Sequence, residues 1–323
     1  MPNFNPSELR ISTMTVTSDF NSSINLPVVA KELPLINYFA NEVGCIKIEP
    51  ENPYPVRGQC RKDIDNKKTK KKKTFYNQTT IIVRMNDEDE QTFKEVNFKL
   101  FSNGRIQMTG VKSINIAKKV LILMLNTLKN LYELDENQEK VYAFGEKDKE
   151  VEYGKVNIHL INSDYTTGFK IKRDVLHSLL VHTYNIYSTY EPCIYPGVNT
   201  KYYWNTTNLQ DGVCNCTNKC TGKGNGNGDG ECKKVTVSIF QSGAIIITGA
   251  TNHDQLNDAY NFINKILESH YDELERTPPP EPLEAPIKVI KNRKKVYIKK
   301  NNTEPVVKNA ILYQMDSKHS VLK

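Results

Sequence analysis

Phe98-Lys99-Leu100-Phe101-Ser102-Asn103-Gly104-Arg105-Ile106-Gln107-Met108-Thr109-Gly110 is answered 139 positions later by Val237-Ser238-Ile239-Phe240-Gln241-Ser242-Gly243-Ala244-Ile245-Ile246-Ile247-Thr248-Gly249. Each copy reads as a short strand, a tight turn closed by Gly, and a second strand ending in Thr-Gly. A helical segment follows both. A repeat of this size is read before any single element, because it sets the architecture. Two copies of one α+β unit predict a pseudo-two-fold pair whose strands share one antiparallel sheet. Fainter echoes extend the match. Ser18-Asp19-Phe20 is echoed by Ser163-Asp164-Tyr165 at 145 positions, and Tyr54-Pro55 by Tyr195-Pro196 at 141.

The 323 residues hold 38% apolar side chains, enough for a substantial core, but the mean hydropathy is −0.56 and a quarter of the chain is charged. Net charge is +7 and the isoelectric point about 8.8, a balance that favours a polyanionic partner. The start, Met1-Pro2-Asn3-Phe4-Asn5-Pro6, has no basic-then-apolar signal, and no run of about 18 apolar residues is present. An unsecreted protein with its seven cysteines reduced is expected.

Residues 9–17 are β-branched and partly alternating, which predicts a strand, and residues 27–42 are read as helical. Ala117, Val120, Leu121, Met124, Leu125, Leu128 and Leu131 form the apolar stripe of a helix over 112–131. Leu256, Ala259, Tyr260, Ile263 and Leu267 repeat it over 252–267. Three parts follow: a first repeat over 1–145, a second over 146–271, and a tail over 272–323. The first repeat carries a solvated Lys-rich and acidic insertion at about 61–92. The second carries a Cys/Gly-rich insertion, taken as equivalent in position, at about 205–232. The tail combines Pro278-Pro279-Pro280-Glu281-Pro282 with a basic stretch over 288–300, and disorder is expected there.

Tyr190-Glu191-Pro192-Cys193-Ile194-Tyr195-Pro196-Gly197-Val198, with Phe240-Gln241-Ser242-Gly243 and Thr248-Gly249-Ala250, resembles the C-terminal repeat of the TATA-box-binding protein family. Phe101-Ser102-Asn103-Gly104 with Thr109-Gly110-Val111-Lys112 resembles its N-terminal repeat. The resemblance covers roughly 9–60, 93–132 and 153–268. Its insertions are similar to those of versions encoded by giant DNA viruses. It implies an α+β saddle: two pseudo-symmetric repeats forming a curved antiparallel sheet with helices on the convex side.

Function follows as an implication of the same resemblance. The concave face would lie in the minor groove of A/T-rich promoter DNA and bend it with aromatic wedges, the family being the type example of that device. The matching wedges are Tyr54 and Phe101 in one repeat, Tyr195 and Phe240 in the other. Strand alternation then turns Lys99 and Ser238 toward the groove, with Gln107 and Thr109 answering Ile246 and Thr248. Lys99, Ser238 and Gln107 are more polar than the family pattern, whose small and apolar groups suit a groove edged by acceptors. Asn157 matches the family's Asn near the dyad, and Ser12 stands at the internally aligned position. Arg105 and Lys112 match phosphate contacts, while Ala244 and Ala250 drop them in the second repeat. Glu191, Cys193 and Ile194 fall where a TFIIB-like bridging factor docks ahead of RNA polymerase. The setting would be a nucleus or a cytoplasmic viral factory.

Cys214, Cys216, Cys220 and Cys232 lack paired Cys-x2-Cys knuckles and are read as reduced loop thiols, so no metal and no other cofactor is expected. The Gly-rich run 222–230 enters a strand rather than opening a helix, which excludes a phosphate cradle. The Lys-rich run over 67–73 reads as a loosely held polyanion contact, with a nuclear localisation signal and a solvated insertion as the other readings. No nucleophile–base pair or paired carboxylates stand out, so the chain is not read as an enzyme. Two alternatives stay open: a saddle that has lost strong bending and acts through partners, and a nuclease or glycosylase built on a similar domain.

Overall fold

The computed structural model describes residues 4–65, 76–87, 92–145, 150–207 and 211–276, with two short strands at 296–298 and 306–308. The chain divides into two units, Met1–Arg276 and Thr277–Lys323. The first repeat contributes β1 (Arg10–Asp19), α1 (Leu26–Glu32), β2 (Gly44–Glu49), β3 (Arg57–Gly58), α2 (Arg61–Ile64), β4 (Gln78–Asn86), β5 (Phe93–Phe101), β6 (Arg105–Val111) and α3 (Ile114–Lys129). A small hairpin, β7 (Tyr132–Leu134) and β8 (Lys140–Tyr142), leads to the second repeat. There follow β9 (Asn157–Thr166), α4 (Arg173–Ser178, continued by a wider turn to Thr183), β10 (Ser188–Thr189), β11 (Val198–Trp204), β12 (Lys233–Ile239), β13 (Ala244–Ala250), α5 (His253–Ser269) and α6 (Tyr271–Leu274). In the second unit, β14 (Val296–Ile298) pairs antiparallel with β15 (Val306–Lys308).

One sheet of eleven strands runs β10-β11-β12-β13-β9-β1-β6-β5-β4-β2-β3, so the repeats meet at β9 and β1. The registers define the two-fold. Thr15 pairs with Thr109 and Leu160, and Asn162 with Thr248 and Thr13. Hence β1 maps onto β9 at an offset of 147 (Thr15 to Asn162), while β5–β6 map onto β12–β13 at 139. Thr79 faces Leu100 as Val198 faces Ile239, so β4 maps onto β11 at 119.

These offsets correct the expected placing of the insertions. The first repeat carries its extra residues before β4, the second between β11 and β12, so the two are not equivalent. The span 61–92 also contains β4, whose Ile81 and Val83 are fully buried. Flanking charge runs disguised a strand whose Ile81 and Val83 face the core and whose Ile82 and Arg84 are covered on the other face. The Lys-rich run over 67–73 lies outside the described residues.

One face of the sheet carries the core. Met14, Val16, Phe98, Met108, Val235, Val237 and Ile247 point under α3 and α5, whose apolar stripes match those read from sequence. Ser113 and Asn252 cap the two helices, each accepting a bond from a backbone N–H three residues on. The helix expected over 27–42 stops at Glu32. Leu33 adopts φ −54 and ψ 120 because Pro34 disfavours the helical conformation of the residue before it. Leu274 is fully buried and Arg276 N–H bonds the Lys170 carbonyl at 2.7 Å, so the packed chain reaches past 272. Residues 277–295, with the Pro-rich linker, lie outside the described residues. Among the described residues, no helix is long and apolar enough to cross a membrane.

On the opposite face the first repeat covers its own outer edge. Ile46, Cys60 and Ile82 form a second small core with Ile36 and Tyr38 packed on it. Arg84 donates to the Tyr38 and Ala40 carbonyls and stacks on Tyr38, its guanidinium carbon 4.9 Å from the ring centroid. Lys47 holds Asp63 of α2 at 3.0 Å and Glu49 at 2.7 Å. Burial alone would raise the Asp63 pKa, but the Cys60 N–H and thiol and the Lys47 ammonium together hold it below the usual carboxylate range. A carboxyl lowered on folding adds stability above its unfolded pKa, and that stability is lost as pH falls through the folded value. The α2 cover is therefore firm at neutral pH and loosens in acid. Asp63→Asn should speed labelling of the Cys60 thiol roughly fivefold, equivalent to about 1 kcal/mol. Peptide-resolved alkylation rates would measure it, and an unchanged rate would show that the ion pair does not hold the cover.

Candidate nucleic-acid interface

Partner residues across an antiparallel ladder share a face, so the registers list what the uncovered face presents. Along its middle lie Thr13, Thr15, Thr109, Leu160, Asn162 and Thr248. Two bulges decide the residues around them. Ser12 is skipped between Ile11 and Thr13, and His159 between Ile158 and Leu160. Each bulge reverses the alternation beyond it. Ile11 and Ile158 consequently pack on the core, while Arg10 and Asn157 turn to the open face.

The pseudo-two-fold thus relates Asn157 to Arg10, and His159 to Ser12, correcting the expected match of Ser12 with Asn157. Ser12 Oγ donates to the Asn162 carbonyl at 3.0 Å. Arg10 pairs with Asp164 at 2.7 Å, and His159 Nε2 lies 2.7 Å from Thr17 Oγ1. Sequence reading missed Arg10 and His159, since only the backbone register reveals a bulge.

At the second repeat's end, Tyr195 and Phe240 form an edge-to-face pair with centroids 5.8 Å apart. Tyr195 is 40% exposed. Gly197 lies beneath both rings, and a Cβ there would come within 3.0 Å of Tyr195 and 3.1 Å of Phe240. Arg173 fixes the loop from below: it donates to the Pro196 carbonyl and to Gln241 Oε1 (2.9 Å) and stacks on Tyr190. Its two anchors adjoin Tyr195 and Phe240 in sequence, a positioning role the sequence did not announce. Glu191, Cys193 and Ile194 form the exposed turn leading into Tyr195, with Ile194 81% exposed.

At the first repeat's end, Phe101, Arg105, Gln107, Asn157 and His159 line an open trough of about 890 Å³. The residue equivalent to Tyr195 is Tyr76, at the β4 offset of 119, and it is 92% exposed. The expected wedge Tyr54 falls in the turn after β2, where the Lys31 ammonium sits 5.9 Å from its ring centroid and Phe101 is not a neighbour in register. The Tyr-Pro echo that suggested Tyr54 is two residues long, too short to define a register.

Residues 156–270 match the family model of transcription factor TFIID, or TATA-binding protein. That match spans the second repeat, which is similar to the TATA-box-binding protein family. Over 277 residues the chain is 28% identical to a "TATA-box-binding protein-like" protein of Acanthamoeba polyphaga mimivirus, covering 85% of this chain and 69% of that relative. Among solved structures, the TATA-binding protein of Methanococcus jannaschii aligns with 82% of this chain and 99% of its own, at 19% identity and a TM-score of 0.42. The α+β saddle with helices on one face is the fold expected from the sequence.

On this TATA-binding-protein-like saddle the remaining site residues divide. Lys99 pairs with Thr80 and Gln107 on the open face, and Ile246 is exposed opposite Ser238. Ser238 itself is only 4% exposed, with the Asn199 amide donating to its hydroxyl at 3.4 Å. Asn199, not Ser238, is the polar group presented there. Lys201 donates to Thr236 at 3.0 Å beside it. Arg105 stands exposed at the rim of the trough, whereas Lys112 is held by Asp87 at 2.8 Å.

Proposed function

We propose that the protein is a DNA-binding transcription initiation factor that grips A/T-rich promoter DNA in the minor groove and bends it. The observation that carries this reading is the Tyr195–Phe240 ring pair at one end of the open face, with Tyr76 and Phe101 at the positions equivalent by the two-fold at the other. Flat apolar rings at both ends of a Thr-lined face can enter base steps, and the bent duplex then wraps more surface than a straight one. The four wedges in this reading are Tyr76, Phe101, Tyr195 and Phe240. Thr109, Thr248, Gln107, Lys99, Asn157 and Asn199 lie along the groove, and Arg105 meets phosphate. Ser12, Ser238 and Lys112 are engaged within the protein.

Grip is uneven in this reading. The first repeat's outer strands are covered by α2 and the 36–40 segment, and Ala244 replaces the arginine that Arg105 provides. The Glu191–Cys193–Ile194 turn is the docking point for a TFIIB-like bridging factor that recruits RNA polymerase, in a nucleus or a viral factory. The test is energy transfer between dyes at the two ends of a short A/T-rich duplex, across a salt series. A bend that weakens with salt supports the reading. Binding with no change in end-to-end distance would overturn it in favour of a saddle acting through protein partners.

A further inference from the structure

We propose that Cys214, Cys216, Cys220 and Cys232 form a structural zinc site of four thiolates that locks the loop between β11 and β12. The sequence spacing, Cys-x-Cys-x3-Cys-x11-Cys, suggested reduced loop thiols, yet folding brings all four sulfurs within 4.8 Å of one another. Cys232 Sγ lies 3.3 Å from Cys216 Sγ and 3.8 Å from Cys214 Sγ. A tetrahedral site with Zn–S of about 2.3 Å places its sulfurs about 3.8 Å apart, so only a small adjustment separates this cluster from a ligand shell. None of the four is joined in a disulfide.

The loop is also built to hold the sulfurs together. Asp229 accepts from the Thr217 N–H at 2.7 Å, the Thr217 hydroxyl at 2.6 Å and the Asn218 side-chain amide at 2.6 Å, clamping the turn between Cys216 and Cys220. The Asn205 amide donates to the Gly228 carbonyl at 2.7 Å and approaches Cys232 Sγ at 3.5 Å. Donors to the sulfurs orient metal-bound thiolates and offset their charge. Lys219, Lys223, Lys233 and Lys234 flank the ligands in sequence, positive charge beside a centre of formal charge −2.

The ligand set is all sulfur, and soft thiolates at a tetrahedral spacing select zinc over calcium or magnesium. Four protein ligands leave no open position, so the site is structural. On binding, each thiol gives its proton to solvent as its sulfur lone pair bonds Zn²⁺, which makes affinity fall in acid. Cys232 immediately precedes β12, and the loop closes the hairpin at the end opposite Tyr195 and Phe240. Zinc there would fix one end of the hairpin that carries the wedges at its other end.

The test is the metal content of the full chain, purified in reducing buffer without added metal. Wild type and Cys193→Ser should each hold about one zinc per chain, and Cys214→Ser/Cys220→Ser close to none. Equal zinc in wild type and the double variant, or a metal-free wild type that takes up none from micromolar Zn²⁺, overturns the proposal. Should the double variant fail to fold, wild type loaded with Co²⁺ decides alone. Sulfur-to-cobalt charge transfer with the intense d–d bands of a tetrahedral tetrathiolate supports the site, and the pale spectrum of an oxygen- or nitrogen-bound ion overturns it.

Discussion

Phe240→Ala should abolish most of the bending of an A/T-rich duplex while leaving the protein folded. The ring is half-exposed and touches Tyr195 from the side, so its loss to folding is confined to that contact, about 0.5–1.5 kcal/mol. Inserted between base steps it would be fully desolvated, a transfer worth about 1.5–3 kcal/mol, or roughly 10- to 150-fold in affinity. Because the ring makes no phosphate contact, the slope of affinity against salt should stay unchanged. Arg105→Ala should instead reduce that slope by about 0.9 with the bend retained. Energy transfer and binding isotherms at several salt concentrations read both variants. Equal bending by Phe240→Ala and wild type would remove the wedge mechanism.

The largest loss of stability is expected from Phe98→Ala. Phe98 is fully buried in the centre of β5, paired with Met108 and Ile81 under the helices. Removing a buried phenyl ring costs about 3–5 kcal/mol, the lost transfer energy plus that of the cavity left behind. Its mate across the two-fold is Val237, a smaller side chain at an equally closed position, so Val237→Ala should cost less. The midpoint of denaturant unfolding would shift accordingly, and a Phe98→Ala loss below about 1 kcal/mol would contradict the packing described.

Phe101 and Phe240, two of the four proposed wedges, sit in the strongest part of the repeat, where strand and turn are local in sequence and the two copies align without a gap. Tyr195 was legible through its Tyr-Pro-Gly context, with Gly197 leaving the rings room to meet. Tyr76 was not legible. Its partner lies across a ladder, at an offset of 119 where neighbouring strands repeat at 139 and 147. Ser12 failed for a related reason: one bulge residue moves every later side chain to the other face, and no residue type marks it.

Sequence alone determined the duplication, the strand–turn–strand units closed by Gly104 and Gly243, and the helices built on the stripes of α3 and α5. These are local patterns, written in neighbouring residues and turn chemistry. Tertiary structure alone decided the 147-residue offset that maps β1 onto β9, the turning of Arg10 and Asn157 to the open face, and the closing of that face at one edge by α2. It also decided the meeting of four cysteines whose spacing resembles no knuckle. Each of these depends on which distant backbone pairs with which, and on the bulges and glycine turns that set the approach. Pairing at long range is chosen by burying the whole apolar face at once, so no short stretch of sequence contains it.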